Sequence, residues 1–106
     1  MTKAIRMQIL ATGMLLAGPM AFAQNSGANV YKAECVHCHG ATGMSDTAMG
    51  RATKVKPVTD PDVKKMSLPD MLEATRNGVG KMQGYKKDLT EEQIKASVLY
   101  FRSFIK

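Results

Sequence analysis

No cysteine lies outside one short stretch: the only two, Cys35 and Cys38, stand three positions apart. A structural disulfide elsewhere in the fold is thereby excluded. Histidine is equally scarce, with His37 and His39 the only two, so no metal site can gather imidazoles from distant parts of the chain. Tryptophan is missing, and three tyrosines and three phenylalanines are the whole aromatic complement. No repeat, low-complexity tract or convincing strand pattern is present, which points to a domain that is nearly all helix. Long apolar runs are absent too. The longest, from about Ile9 to Ala17, is broken by Thr12 and Gly13 and falls short of the roughly 20 residues that a membrane span needs.

That run has a better reading. Lys3 and Arg6 give a basic start, Gly18-Pro19 ends the apolar stretch, and Ala21-Phe22-Ala23 places small residues at the A-x-A positions, the pattern of a cleaved secretory signal peptide. Residues 1–23 are expected to be removed before Gln24, leaving residues 24–106 as a single exported domain with no membrane span. Taking 23 residues from 106 leaves 83, and chains of that size usually need a staple or a metal to be stable. Losing Lys3 and Arg6 from the 15 basic side chains leaves 13 against nine acidic ones, a formal +4. So mild an excess suits an acidic protein partner and is too small and scattered to argue for nucleic acid.

The chemistry is concentrated in Cys35-Val36-His37-Cys38-His39-Gly40. This is C-x-x-C-H, the covalent attachment signature of c-type haem. Two cysteines three apart on a helix lie about one turn from each other, roughly 5–6 Å between β carbons, so both sulfurs reach the vinyl groups on one edge of a porphyrin. His39 then comes under the ring, where a neutral imidazole nitrogen can take the proximal position on iron. Haem c and iron are therefore the expected cofactors, and a covalent haem is also the staple that a thin core requires.

Punctuation along the chain places the helices. Asn25 or Ser26 can cap a helix from Gly27, with Ala28, Tyr31 and Cys35 on one stripe. Gly40 to Val58 holds three glycines and a proline without periodicity and reads as a long loop, which in a compact domain needs a ligand to fold over. Asp60-Pro61 starts a short helix through Met66. Ser67-Leu-Pro-Asp70 matches a capping box opening Leu68 to Asn77, with Leu68, Met71, Leu72 and Thr75 buried and Gly78 as the stop. Thr90 with Gln93 opens the last helix, whose inner face is Ile94, Val98, Phe101 and Ile105.

The sixth position on the iron is the open question. Bis-histidine ligation is excluded by count, because His37 is pinned between the two cysteines. That leaves methionine, lysine, water or an open site. Five methionines survive cleavage: Met44, Met49, Met66, Met71 and Met82. Met82 differs in lying on a Gly-rich loop between two helices, where glycines permit close backbone approach.

Three segments in order carry a resemblance to the small class I bacterial cytochromes c. Gly27-Ala-Asn-Val-Tyr31-Lys-Ala-Glu-Cys35 resembles the family's amino-terminal helix. Asn77-Gly78-Val-Gly80-Lys81-Met82-Gln83-Gly84-Tyr85 resembles its axial methionine loop, and Val98-Leu-Tyr100-Phe-Arg102 its closing helix. The resemblance implies an all-α fold of three to four helices and loops wrapped around one covalent haem, with Cys35 and Cys38 as thioethers and His39 and Met82 as axial ligands. It further implies a monomeric periplasmic one-electron carrier, not an enzyme, that docks transiently on redox partners. Lys81, Lys86 and Lys87 would form a rim for an acidic partner. Gly27 and Tyr31 match a glycine and an aromatic that pack the first helix across the last, with Tyr100 or Phe101 opposite. In relatives the proximal histidine donates to a backbone carbonyl, often a proline's, yet Asp46-Thr-Ala48-Met49-Gly50 has none, which leaves Ala48, Pro57 or another residue. Gln83 stands where relatives frequently have proline.

Three other classes compete. Cys35-Val-His37-Cys38 also matches the C-x-H-C of exported thiol-disulfide oxidoreductases, in which His37 would lower a cysteine pKa. No strand precedes the motif, so the βαβ context is missing. Structural zinc would crowd four ligands into five residues. A haem protein with an open sixth position, for gas binding or peroxide chemistry, is the nearest rival.

Overall fold

The computed structural model describes residues 26–106, so the signal peptide expected over residues 1–23 lies outside the described residues. Six helices follow in order: α1 Gly27–Glu34, α2 Val36–His39, α3 Ala48–Ala52, α4 Pro61–Lys65, α5 Leu68–Asn77 and α6 Glu91–Arg102. Among the described residues there is no strand, only a single antiparallel bridge between Val79 and Met82. The all-α class expected from the sequence is the class observed.

Local chemistry sets most of the helix starts. Ser26, Thr47, Asp60, Ser67 and Thr90 each accept a backbone N–H from the first turn that follows, which satisfies a donor that the helix itself cannot. At α6 the box is reciprocal: Thr90 Oγ1 accepts from the Gln93 amide at 3.1 Å, and Gln93 Oε1 accepts from the Thr90 amide at 2.9 Å. At α5 only the serine half forms, at 3.2 Å. Asp70 is one methylene shorter than the glutamate or glutamine that completes a box.

The framework is the crossing of α1 on α6. Gly27 makes it possible, because a β carbon there would collide with the Ala96 carbonyl. One turn on, Tyr31 is 2 % exposed, with ring centroids of Tyr100, Phe101 and Phe104 at 5.3, 6.2 and 5.8 Å. The choice between Tyr100 and Phe101 is thus resolved as both, with Phe104 added. Tyr31 also donates from its hydroxyl to the Gly40 carbonyl at 2.6 Å. Beside it Val30 is buried while Ala28 is exposed, so the inner face of α1 is the half-buried Gly27 with buried Val30 and Tyr31, and not Ala28.

A second cluster joins α4, α5 and α6 through Val63, Met71, Ile94 and Val98, with Leu68, Leu72, Phe101 and Ile105 packed on it. Burial of such side chains is worth roughly 1.5–3 kcal/mol each. Arg102 ties the cluster's edge by donating to the Met66 carbonyl at 2.9 Å.

The stretch from Gly40 to Val58 is not loop throughout. Thr47 caps α3, a helix of five residues, and Thr47 Oγ1 also donates to the His37 carbonyl at 2.6 Å. A helix this short leaves no periodicity to read, and Gly50 inside it reads as a breaker.

Candidate functional site

Cys35 is at once the end of α1 and the start of α2. Its amide donates to the Tyr31 carbonyl at 2.8 Å, and its own carbonyl accepts from His39 at 2.9 Å. The motif is therefore one helix with a single break, and the helical spacing that the two sulfurs require is present. Gly40 ends α2 at a φ of 80°, and the chain turns into the loop.

Met82 is fixed from the other side of the sequence. Val79 and Met82 exchange backbone hydrogen bonds at 3.0 and 2.9 Å, closing a two-residue turn with Gly80 at a φ of 56°, where a residue with a β carbon is strained. The turn is held to α5, because the Tyr85 amide donates to the Thr75 carbonyl at 2.8 Å. It is held to α1 as well, since the Tyr85 hydroxyl donates to the Glu34 carbonyl at 3.1 Å. The Lys-Met-x-x-Tyr spacing therefore has a mechanical meaning: the tyrosine anchors a loop whose methionine faces the cavity.

Cys35, Cys38, His39 and Met82 all line one cavity of about 810 Å³. The four site residues expected from the sequence are brought together. Val63, Met71, Val98 and Phe101 supply its apolar floor. Of the remaining methionines, Met66 and Met71 also line the cavity, but Met71 is buried in the core and Met66 packs against it. Met49 and Met44 are 41 % and 42 % exposed, and Met44 is not part of the lining. His37 is exposed at one edge.

The electrostatics suit a neutral imidazole and buried sulfur. Burial pushes the His39 pKa below its ordinary value, which favours the form with a free lone pair. The ring meets the edge of Phe101 at 5.2 Å and 64°. Its Nδ1 is buried and makes no hydrogen bond, so no carbonyl of the 40–58 stretch accepts from it; neither Ala48 nor Pro57 takes that part. Burial, with Glu34 and Cys38 beside it, pushes the Cys35 thiol up to about 11. That is the opposite of a reactive cysteine. Among the described residues no strand precedes the motif, so the βαβ context of a thiol oxidoreductase is missing there, and no group of three or more His, Cys, Asp or Glu is placed to hold a metal ion.

The donor set and the cavity fit haem. Two thiols, an imidazole and a thioether are the groups used to tether and ligate an iron porphyrin, and the volume lies within the range of small-molecule sites.

Comparison with known proteins decides the family. The model for cytochrome c oxidase, cbb3-type, subunit III matches residues 22–101. The chain belongs to this cytochrome c family. A solved structure of the KustC0563 c-type cytochrome is 30 % identical, with a TM-score of 0.69, covering 76 % of this chain and 99 % of that one. A point mutant of the same cytochrome is 28 % identical with a TM-score of 0.67, over 74 % and 98 % of the two chains. Among curated proteins, none matches the chain. As a cytochrome c it carries covalently bound haem c with its iron and has a haem electron-carrier role. The all-α cytochrome c fold is the one that the resemblance implied, with six helices in place of three to four because the first breaks at Cys35 and Ala48–Ala52 forms a further one, and among the described residues no helix is long and apolar enough to cross a membrane.

Sequence reasoning missed α3, the Thr47 bonds and the part that Phe101 plays against His39. The Thr47-Ala-Met-Gly cap was the available signal for the first two. Nothing local marks the third, because Phe101 reaches His39 only through the α1–α6 crossing.

Proposed function

We propose that this cytochrome c is a periplasmic one-electron carrier, with Cys35 and Cys38 as the thioether tethers and His39 and Met82 as the axial ligands. The convergence of those four side chains on a single cavity, with Met82 held by a closed backbone turn, is the observation that supports this reading. Haem c supplies a one-electron ferrous–ferric couple when bound. The chain's part is to keep the site closed and unchanged through it. Burial favours the neutral form of His39, and the Met82 thioether, soft and uncharged, favours ferrous iron and raises the potential relative to two histidines. With both axial places taken by side chains, substrate has no entry, so no catalytic activity is assigned.

Turnover requires docking that is weak and brief. Lys81, Lys86 and Lys87 are exposed around the Met82 turn, and none of them forms an ion pair among the described residues. They form a rim suited to an acidic surface on a redox partner, and a monomer presents it freely. Export by the signal peptide of residues 1–23 accounts for the periplasmic site.

The test is Met82→Ala in holoprotein matured with covalent haem. The methionine-to-ferric-iron charge-transfer band should vanish and the ferrous form should bind carbon monoxide, whereas Met66→Ala should leave both as in the parent. If the band survives in Met82→Ala, another ligand holds the sixth position.

A further inference from the structure

Two buried side-chain polar atoms among the described residues have no hydrogen-bond partner: Nδ1 of His39 and Oγ of Ser45. Buried orphans of this kind are rare enough in native folds to need a reason. These two belong to one small piece of chain, since the Ser45 amide donates to the His39 carbonyl at 2.8 Å. Ser45 is 7 % exposed and holds a φ of 55°, a left-handed backbone that a serine adopts only against strain. Glycine takes such angles freely and does so at positions 40 and 43. At position 45 the chain keeps a hydroxyl.

The two atoms match chemically. A neutral imidazole bonded to metal through Nε2 carries its proton on Nδ1 and is there a donor only, while a serine oxygen offers two lone pairs. Phe101, which meets the imidazole ring edge-on, offers no acceptor. No backbone carbonyl takes the proton, and neither atom is engaged elsewhere. The two do not bond each other in this structure; what joins them is the backbone bond from the Ser45 amide to the His39 carbonyl.

We propose that Ser45 Oγ is the acceptor for the His39 Nδ1 proton and that Ser45 is the positioning residue of the proximal ligand. The inference rests on His39 being that ligand. A side-chain hydroxyl here does the work that a backbone carbonyl does in relatives. An acceptor on Nδ1–H fixes the ring's orientation and makes the imidazole a stronger donor, which stabilises ferric iron and lowers the potential.

The experiment compares holoprotein with Ser45→Gly, which relieves the backbone and removes the oxygen, and Ser45→Asn, which tolerates the φ and restores an acceptor. Midpoint potential and solvent exchange of the His39 Nδ1 proton, followed by NMR in the ferrous state, are the readouts. Ser45→Gly should raise the potential and speed the exchange, and Ser45→Asn should bring both back toward the parent. A parent-like potential and exchange rate in Ser45→Gly would overturn the proposal, as would equal changes in the two variants, since those would report loop packing. Failure of the ligand reading is separable: His39→Ala would then still assemble low-spin haem.

Discussion

At Tyr31 burial and a hydrogen bond act on the same atom. The hydroxyl donates to the Gly40 carbonyl, which also accepts from the Gly43 amide at 3.3 Å, so Tyr31→Phe leaves that carbonyl with one partner. The loss should then be about 0.5–1.5 kcal/mol, the worth of an ordinary bond and not of a buried orphan. Burial also raises the phenol's pKa above its ordinary value. A raised folded pKa means that the stabilisation is complete below about pH 10, the unfolded value, and is lost as pH climbs above it. Denaturant titrations at stepped alkaline pH should show the parent losing stability more steeply than Tyr31→Phe, by up to about 1.4 kcal/mol per pH unit; parallel slopes would contradict this. At this scale the sequence singled out Cys35, Cys38, His39 and Met82 by residue type and spacing, and the fold brings these four to one cavity. It told nothing of Ser45, and of Phe101 only that it lies on the inner face of the last helix, not that it meets His39. Their parts depend on a backbone angle and on a helix crossing, and neither leaves a local pattern.

The helices were legible where capping chemistry and apolar period agree. The ends of α5 and α6 follow from Ser67, Gly78 and Thr90, whereas α3 was hidden because five residues cannot display a period. Thr90→Ala should cost about 1 kcal/mol, within a range of roughly 0.5–2, seen as a lower urea midpoint at unchanged slope. The α1–α6 crossing is more demanding. At Gly27 an added β carbon would meet the Ala96 carbonyl and lie 3.1 Å from the β carbon of Tyr100, and both are held in α6. Gly27→Ala should therefore destabilise by about 1–3 kcal/mol through overpacking, although alanine is the better helix former by up to about 1 kcal/mol. A neutral or stabilising result would mean that the two helices can part without loss.

Over the whole molecule, the cavity sets the balance. The cavity of about 810 Å³ is lined by the core side chains Val63, Met71 and Val98, apolar surface that bound haem would take out of water. The prosthetic group is in that sense part of the core. The haem-free chain carrying Cys35→Ala and Cys38→Ala should show no cooperative urea transition by circular dichroism, and a sharp transition would refute this. Charge acts at the same scale. Changing Lys81, Lys86 and Lys87 together to glutamine should flatten the salt dependence of electron transfer with an acidic redox partner, since rim charges act mainly on association; an unchanged dependence would place docking elsewhere.

The central claim is a covalent haem closed on both faces by His39 and Met82. It is tested most directly by the optical spectrum of the protein exported from a host with c-type maturation, oxidised, then reduced, then exposed to carbon monoxide. A low-spin spectrum with the methionine-to-iron band in the ferric state, and no change on adding carbon monoxide to the ferrous state, is the predicted result. Rapid carbon monoxide binding by the unmodified protein would contradict it and would make this an open-site haem protein.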